Sequence, residues 1–257
     1  MPQWDPNQYL AFAQERTQPA VDLVQRIPLS APRTIIDIGC GPGNSTQVLL
    51  QRYPGAHLVG LDNSAEMIAQ ARADFPDLEW RLAEAATFAE TERYDIVFSN
   101  AVFQWIPKHG ELLPRLFAAV KPGGVFAFQV PANQQAPLHQ SLERAAAGPE
   151  WEKHFPPGGR VFHYPKVPVY YDLLAPRAAK LELWETTYYH LLASHQALLE
   201  WYRGTGLRPF LQWLPDDAAR ARFEGEVLEG CRKDYPLQGD GRLLFPFRRL
   251  FCLATKP

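Results

Sequence analysis

A chain of 257 residues, 46% of them hydrophobic, can bury a substantial core, and its length allows either one large α/β domain or two small ones, one domain being expected. Lys and Arg number 26 against 28 Asp and Glu, a formal net charge of −2, so no global field draws the chain to nucleic acid or an anionic membrane. The opening stretch MPQWDPNQYLAFAQERTQP breaks its apolar residues with Asp5, Glu15 and Arg16, which is unlike a signal peptide, and no apolar run is long enough to span a bilayer. Cys40, Cys231 and Cys252 are odd in number and lack paired metal-ligand spacing, so reduced thiols, a cytoplasmic setting and no metal are expected.

Asp5 followed by Pro6 predicts a helix start, and Pro19 predicts the start of a second helix. Beyond it Ala20, Leu23, Val24 and Ile27 recur at i, i+3, i+4 and i+7, one apolar face to lay on a sheet. From Thr34 short apolar runs alternate with helical segments: TIIDI, STQVLLQRY, HLVGL, SAEMIAQARADF, LEWRL, which reads as βαβαβ and a parallel sheet. YDIVFS follows as a buried strand, then a helix from about Glu111 to Val120, a turn at Lys121–Gly124 and the strand VFAFQV. Residues 131–168 are rich in proline, glycine and aromatics and show one convincing helix, Leu138 to Ala147. KLELWETTYYHL then reads as a long strand, Ser194 as the cap of a helix reaching about Arg203, Asp216 to Asp234 as a helix, and RLFCLAT as the last strand.

The expected fold is therefore α/β: a Rossmann-like, doubly wound, seven-stranded, mostly parallel sheet with a helical cap or lid insertion. The expected organisation is a single domain with a helical cover at 1–30, a cofactor-binding core at 31–130, a lid or substrate segment at 131–178, and the last two strands with inserted helices at 179–257.

The sharpest signal is a buried strand running into glycines and then a helix, Ile35-Ile36-Asp37-Ile38-Gly39-Cys40-Gly41-Pro42-Gly43-Asn44. Glycines let the backbone turn tightly and approach a ligand closely. A dinucleotide fingerprint needs a glycine where Asn44 stands, so the spacing is GxGxG. Asp37 beside the ligand is a poor neighbour for a pyrophosphate and a good one, directly or through water, for the amine of a methionine moiety next to a sulfonium. Asp62 ends the second strand, where a carboxylate accepts hydrogen bonds from ribose hydroxyls, and Ser64 is free to cap the following helix. Asn63 lies beside Asp62, Glu84 and Ala85 could read an adenine edge, and Met67 could pack on its face. Asn100 to Trp105 follow the fourth strand and would line the crevice, with Phe103 and Trp105 offering ring faces to a sulfonium.

DIGCGPGN, GLDNS, YDIVFSNAVFQWI and VKPGG resemble, in order and spacing, the class I methyltransferases that use S-adenosylmethionine. WDPNQYLAFAQERTQPAVDL, TTYYHLLASHQALLEWYRGTGLRPFLQWL and DYPLQGDGRLLFPFRRLF resemble the trans-aconitate 2-methyltransferase family nearly end to end. The resemblance implies S-adenosylmethionine as cofactor, S-adenosylhomocysteine as by-product, a tricarboxylate as small-molecule partner, and formation of its monomethyl ester. A carboxylate is already ionised at neutral pH, with a pKa of about 4, so no catalytic base is expected and positioning carries the reaction. Counter-charge for the acid is expected from arginine forks and polar aromatics. Candidates are Arg16, in the short break between two N-terminal helices, together with Gln104, Trp105, Tyr170, Tyr189, His190 and Arg208; Arg203, Arg248 and Arg249 have the same chemistry. A methyltransferase acting on another acid or an amine, a nicotinamide-dependent oxidoreductase and a non-catalytic cofactor sensor remain as alternatives from the residues.

Overall fold

A computed structural model describes residues 13–155, 162–163 and 165–257, with side chains from residue 17. The helix start expected at Asp5 lies outside them.

The first described element, α1 (Ala13–Arg26), runs through Pro19 without ending. This corrects the expected helix break, and with it the expected setting of Arg16, which is on a helix. An interior proline costs about 3 kcal/mol. Ala20, Leu23 and Val24 are all buried by the same helix, and their burial is worth more than that cost. The helix packs against α2 (Asn44–Arg52) and the strand β5 (Val120–Pro131).

Parallel pairing builds the centre from β1 (Thr34–Ile38), β2 (His57–Asp62), β3 (Glu79–Leu82), β4 (Tyr94–Asn100) and β5. Helices cover both faces of such strands, which explains why TIIDI and YDIVFS are apolar runs with little alternation. The helix α3 (Ala65–Asp74) follows β2 and is capped by the Ser64 hydroxyl, which accepts from Met67 N–H at 3.3 Å. The helix α4 (His109–Ala118) returns the chain to β5. Lys121 to Gly124, expected as a turn, lie inside β5 and loop out opposite Asp95, since Tyr94 pairs with Val120 and Ile96 with Val125. Gly124 is required there, because a Cβ would meet the Asp95 carbonyl at 2.7 Å.

The full sheet has seven strands in the order β3-β2-β1-β4-β5-β7-β6, where β6 is Lys180–Leu192 and β7 is Leu243–Thr255, antiparallel to β5. Strand order reverses between β1 and β4, and the crevice outside the carboxyl ends at that point is where doubly wound sheets bind ligands.

The described residues divide into two compact units. The larger comprises 13–131, 162–163, 165–186 and 249–257; it includes α6 (Val167–Leu174), which the sequence reading did not place. Tyr170 of this helix is buried with its ring 5.6 Å from Phe128 and 5.8 Å from His109. The smaller comprises 132–155 and 187–248, with α5 (Pro137–Ala146), α7 (His195–Arg203), α8 (Arg208–Leu211) and α9 (Asp217–Glu229). The helix expected over Asp216–Asp234 thus ends at Glu229, with a separate short turn at Arg232–Asp234. Its core includes Trp151, Trp201, Phe223 and Phe245. The segment expected as one lid, 131–178, is therefore shared between the units, α6 packing on α4 within the larger one.

Candidate active site

Three glycines in the loop after β1 have positive φ: Gly39 at 71°, Gly41 at 56° and Gly43 at 101°. Other residues are strained in that region. Gly39 is further constrained by a neighbour, since a Cβ would stand 2.3 Å from a Val102 methyl. Gly41 has open space where its Cβ would be, so the loop presents bare backbone there. Gly39 and Cys40 N–H both donate to the Leu61 carbonyl, at 2.7 and 3.0 Å, which fastens the loop across the end of β2. The Cys40 thiol packs with Ile68, Ala71 and Trp80, and burial raises its pKa well above the usual thiol range. Only the backbone of Cys40 is left for a ligand.

Asp37 is fully buried at the end of β1. Its Oδ2 accepts from the Ser45 and Thr46 hydroxyls, each at 2.7 Å, while Oδ1 has no partner among the described residues. Burial pushes its pKa up to about 6; the two hydroxyls pull it down and nearby Asp62 adds to the rise. A buried acceptor without a donor is costly in a native protein and calls for an explanation. The first turn of α2, Ser45-Thr46, is a supporting pair the sequence reading missed, though two hydroxyls directly after the glycines were a visible signal.

Asp62, at the carboxyl end of β2, accepts from Gly41 N–H through Oδ2 and from Ser64 N–H through Oδ1, both at 2.9 Å. Burial raises its pKa, and hydrogen bonds from Ser64 and Gly41 work against the rise. Ser64, not Asp62, caps α3, so the carboxylate keeps lone pairs for another use. Asn63 donates to the exposed Glu84 carboxylate at 3.2 and 3.3 Å, and Ala85 is buried. Met67 is buried as well. Leu82, the register partner of Asp62 in β3, is 56% exposed, an apolar wall not foreseen from sequence. Neither Asp37 nor Asp62 is paired with a lysine or arginine among the described residues.

At the amino ends of the same strands the pattern is the opposite. Asp95 accepts from the backbone of Arg33 and Thr34, both at 2.8 Å, and from Lys121 at 3.1 Å. These bonds outweigh burial and hold its pKa below the ordinary value. Satisfied charge marks one end of the sheet and spare acceptors the other.

Beyond β4, Asn100 is half-buried and Ala101 has a φ of 59°, and the next residue, Val102, lies against Gly39 of the glycine loop. Phe103, expected to offer its ring to a ligand, is instead fully buried, 5.1 Å from Phe128 and 6.1 Å from Phe126. An aromatic so placed is core. Gln104 is buried with Nε2 donating to the Ala101 carbonyl at 2.6 Å and Oε1 without a partner among the described residues. Trp105 is half-buried, 5.0 Å from Phe162.

Among the remaining substrate candidates, Arg16 lies on α1 and its side chain is outside the described set. Tyr170, expected as a donor facing the acid, is instead packed in the core of the larger unit. His190, likewise expected to face the acid, belongs instead to the aromatic core of the smaller unit, its ring 5.8 Å from Trp201 and 6.1 Å from Phe247. Its neighbour Tyr189 points the other way on β6 and is 63% exposed, as strand alternation requires. Arg208 begins α8 and is half-buried. No group of three or more potential metal ligands occurs among the described residues.

A methyltransferase-domain family model matches residues 11–209. The trans-aconitate 2-methyltransferase of Azoarcus sp. is 46% identical over 259 residues, covering 100% of each chain. The proteins of the same name from Methylobacterium radiotolerans and Escherichia coli are 44% and 41% identical, each covering 100% of this chain and 99% of its own. Among solved structures, Haemonchus contortus phosphoethanolamine N-methyltransferase 2, bound to phosphomonomethylethanolamine and S-adenosylhomocysteine, superposes with a TM-score of 0.59 at 18% identity over 93% of this chain and 53% of that one. Streptomyces coelicolor geranyl diphosphate C-methyltransferase, also holding S-adenosylhomocysteine, gives 0.54 at 14% identity over 94% and 76%. At such identities these two show the fold alone.

Proposed function

Because the chain belongs to the trans-aconitate 2-methyltransferase family, we propose that it esterifies one carboxylate of trans-aconitate with a methyl group from S-adenosylmethionine, leaving S-adenosylhomocysteine. Full-length identity to the named relatives carries this reading, and the crevice chemistry supports it.

The residues fit the cofactor. Asp37 Oδ1 is a buried acceptor in need of a donor, which an ammonium or a bridging water supplies. Asp62 retains lone pairs for a vicinal diol, and Gly41 leaves bare backbone beside it. Leu82 offers a flat apolar wall to a base whose edge Asn63, Glu84 and Ala85 could read. Two carboxylates without cationic partners among the described residues disfavour a pyrophosphate, and hence a nicotinamide dinucleotide. When bound, the cofactor supplies an electrophilic methyl group on a sulfonium.

Everything else is positioning. The acceptor oxygen of the acid is ionised at neutral pH, so no side chain needs to take a proton. The glycine loop, fastened by the Leu61 carbonyl and Asp62, holds its own shape before a ligand arrives, which lowers the ordering cost of binding. Within the larger unit, Arg16, Gln104 and Trp105 are the proposed partners of the acid, the Arg16 guanidinium fork being best matched to a carboxylate.

The test is product analysis. Protein incubated with methyl-labelled cofactor and a panel of acids is expected to label trans-aconitate, giving a single added methyl by mass spectrometry that mild alkali removes. Labelling of a different acid, with trans-aconitate untouched, would overturn the substrate; calorimetric binding of NADH in preference to S-adenosylhomocysteine would overturn the reaction class.

A further inference from the structure

At the carboxyl ends of β4 and β5 three polar side chains are joined in a line, the third coming from the middle of the antiparallel β7. Arg249 is buried in β7, and its Nη1 donates to Gln129 Oε1 at 3.2 Å. Gln129, fully buried in β5, donates through Nε2 to Asn100 Oδ1 at 2.5 Å. Asn100 ends β4, opposite Gln129 in the ladder, and is half-buried.

The chemistry of the first member fixes the rest. A guanidinium has donors only, so the face of Gln129 turned to Arg249 must be its carbonyl oxygen. The NH₂ of Gln129 then faces Asn100, whose carbonyl oxygen must receive it. That leaves the Asn100 NH₂ on the far side, and it has no acceptor among the described residues. An amide that could present either end is thereby held with its donor end out.

We infer that Arg249 and Gln129 are positioning residues that lock the Asn100 amide with its donor end toward the crevice, where it binds a carboxylate of a ligand. Within the proposed reaction a carboxylate arrives from two sources, the methionine moiety of the cofactor and the acid substrate. The inference rests on Asn100 facing the ligand, as the proposed function requires.

Gln129→Glu gives Arg249 a carboxylate partner and places an acceptor opposite Asn100, which must turn its NH₂ inward and its oxygen toward the crevice. A merely structural role predicts unchanged ligand binding and a Tm no lower than that of the parent protein. The lock predicts a loss of roughly ten- to hundredfold in carboxylate affinity at unlowered Tm, the usual worth of a hydrogen bond to a charged group. Titration calorimetry with S-adenosylhomocysteine and the KM for trans-aconitate identify the source: a weaker Kd assigns the carboxylate to the cofactor, a higher KM with kcat little changed assigns it to the acid.

Gln129→Met retains the Arg249 charge but cannot hold the amide, so it separates orientation from charge; a smaller loss, about three- to tenfold, is expected. Wild-type affinities in Gln129→Met with a loss only in Gln129→Glu would assign the effect to charge and overturn the lock. Asn100→Asp still accepts from Gln129 and offers only acceptors outward, so it is expected to lose at least as much as Gln129→Glu, and it carries the test if Gln129→Glu does not fold. Loss in Asn100→Asp with both Gln129 variants at parental affinity removes the lock and leaves Asn100 as a ligand residue. Parental Kd and KM in all three remove Asn100 from the site as well, without touching the assignment of the reaction.

Discussion

Replacing Asp37 by asparagine separates what this carboxylate costs the fold from what it gives a ligand. Its pKa is moved by burial from 3.8 to about 6, so the folded state holds the proton more tightly than the unfolded chain does. Stability of the parent protein therefore falls as pH rises through that interval and stays lowered above it, by an amount of about 3 kcal/mol. Asparagine imitates the protonated acid in shape and lacks the titration. The expected result is a difference in unfolding free energy, variant minus parent, that grows in favour of the variant by about 2.5 kcal/mol between pH 4 and pH 8. Urea melts of both proteins at five pH values measure it, and groups common to both cancel. A difference flat with pH would refute the claim that a buried ionised Asp37 is costly. The binding counterpart has the opposite sign: the affinity of the parent protein for S-adenosylhomocysteine is expected to rise about tenfold from pH 5 to pH 7.5 as Asp37 ionises, and that of Asp37→Asn is not.

Gly39→Ala combines a positive φ with a Cβ 2.3 Å from Val102, so thermal melts should show a loss of about 2 kcal/mol or more and calorimetry little cofactor binding; a normal Tm would contradict the close approach. Phe103→Ala should destabilise by about 3–5 kcal/mol as a core truncation, while Phe103→Leu should retain cofactor affinity within a few-fold; a large selective loss of affinity in Phe103→Leu would return the ring to the ligand. Arg16→Ala is expected to raise the KM for trans-aconitate about tenfold or more with the Kd for S-adenosylhomocysteine within a few-fold, and unchanged steady-state constants would strike the residue from the acid site.

The parallel half of the sheet was legible because each strand there is an apolar run bounded by glycine, proline or a capping residue, signals that are local in sequence. Asp37 and Asp62 were legible for the same reason, being the polar residues at the ends of apolar strands. What escaped was decided at a distance. Pro19 reads as a helix start until the burial of Ala20, Leu23 and Val24 is seen to outweigh one lost hydrogen bond. Lys121 to Gly124 have the composition of a turn, yet pairing on either side draws them into β5. Phe103 and Tyr170 look alike as ligand-facing aromatics, but they pack around Phe128, a contact that no spacing in the chain announces. Arg249 was visible as an arginine and Gln129 as a polar residue in VFAFQV, but their bond joins positions 120 apart.

Cys40 lends the glycine loop a property unrelated to transfer chemistry. Its thiol is sealed beneath Trp80 and Ala71, held protonated, and shut away from any reagent while the loop is closed. Alkylation at this sulfur can proceed only through transient opening, so its rate is a native clock for the breathing of the cofactor cradle, readable by peptide mapping without introducing a label. A ligand that braces the loop should slow that clock in proportion to its occupancy, turning a side chain with no part in the reaction into a gauge of how rigid the cradle is before and after it is filled.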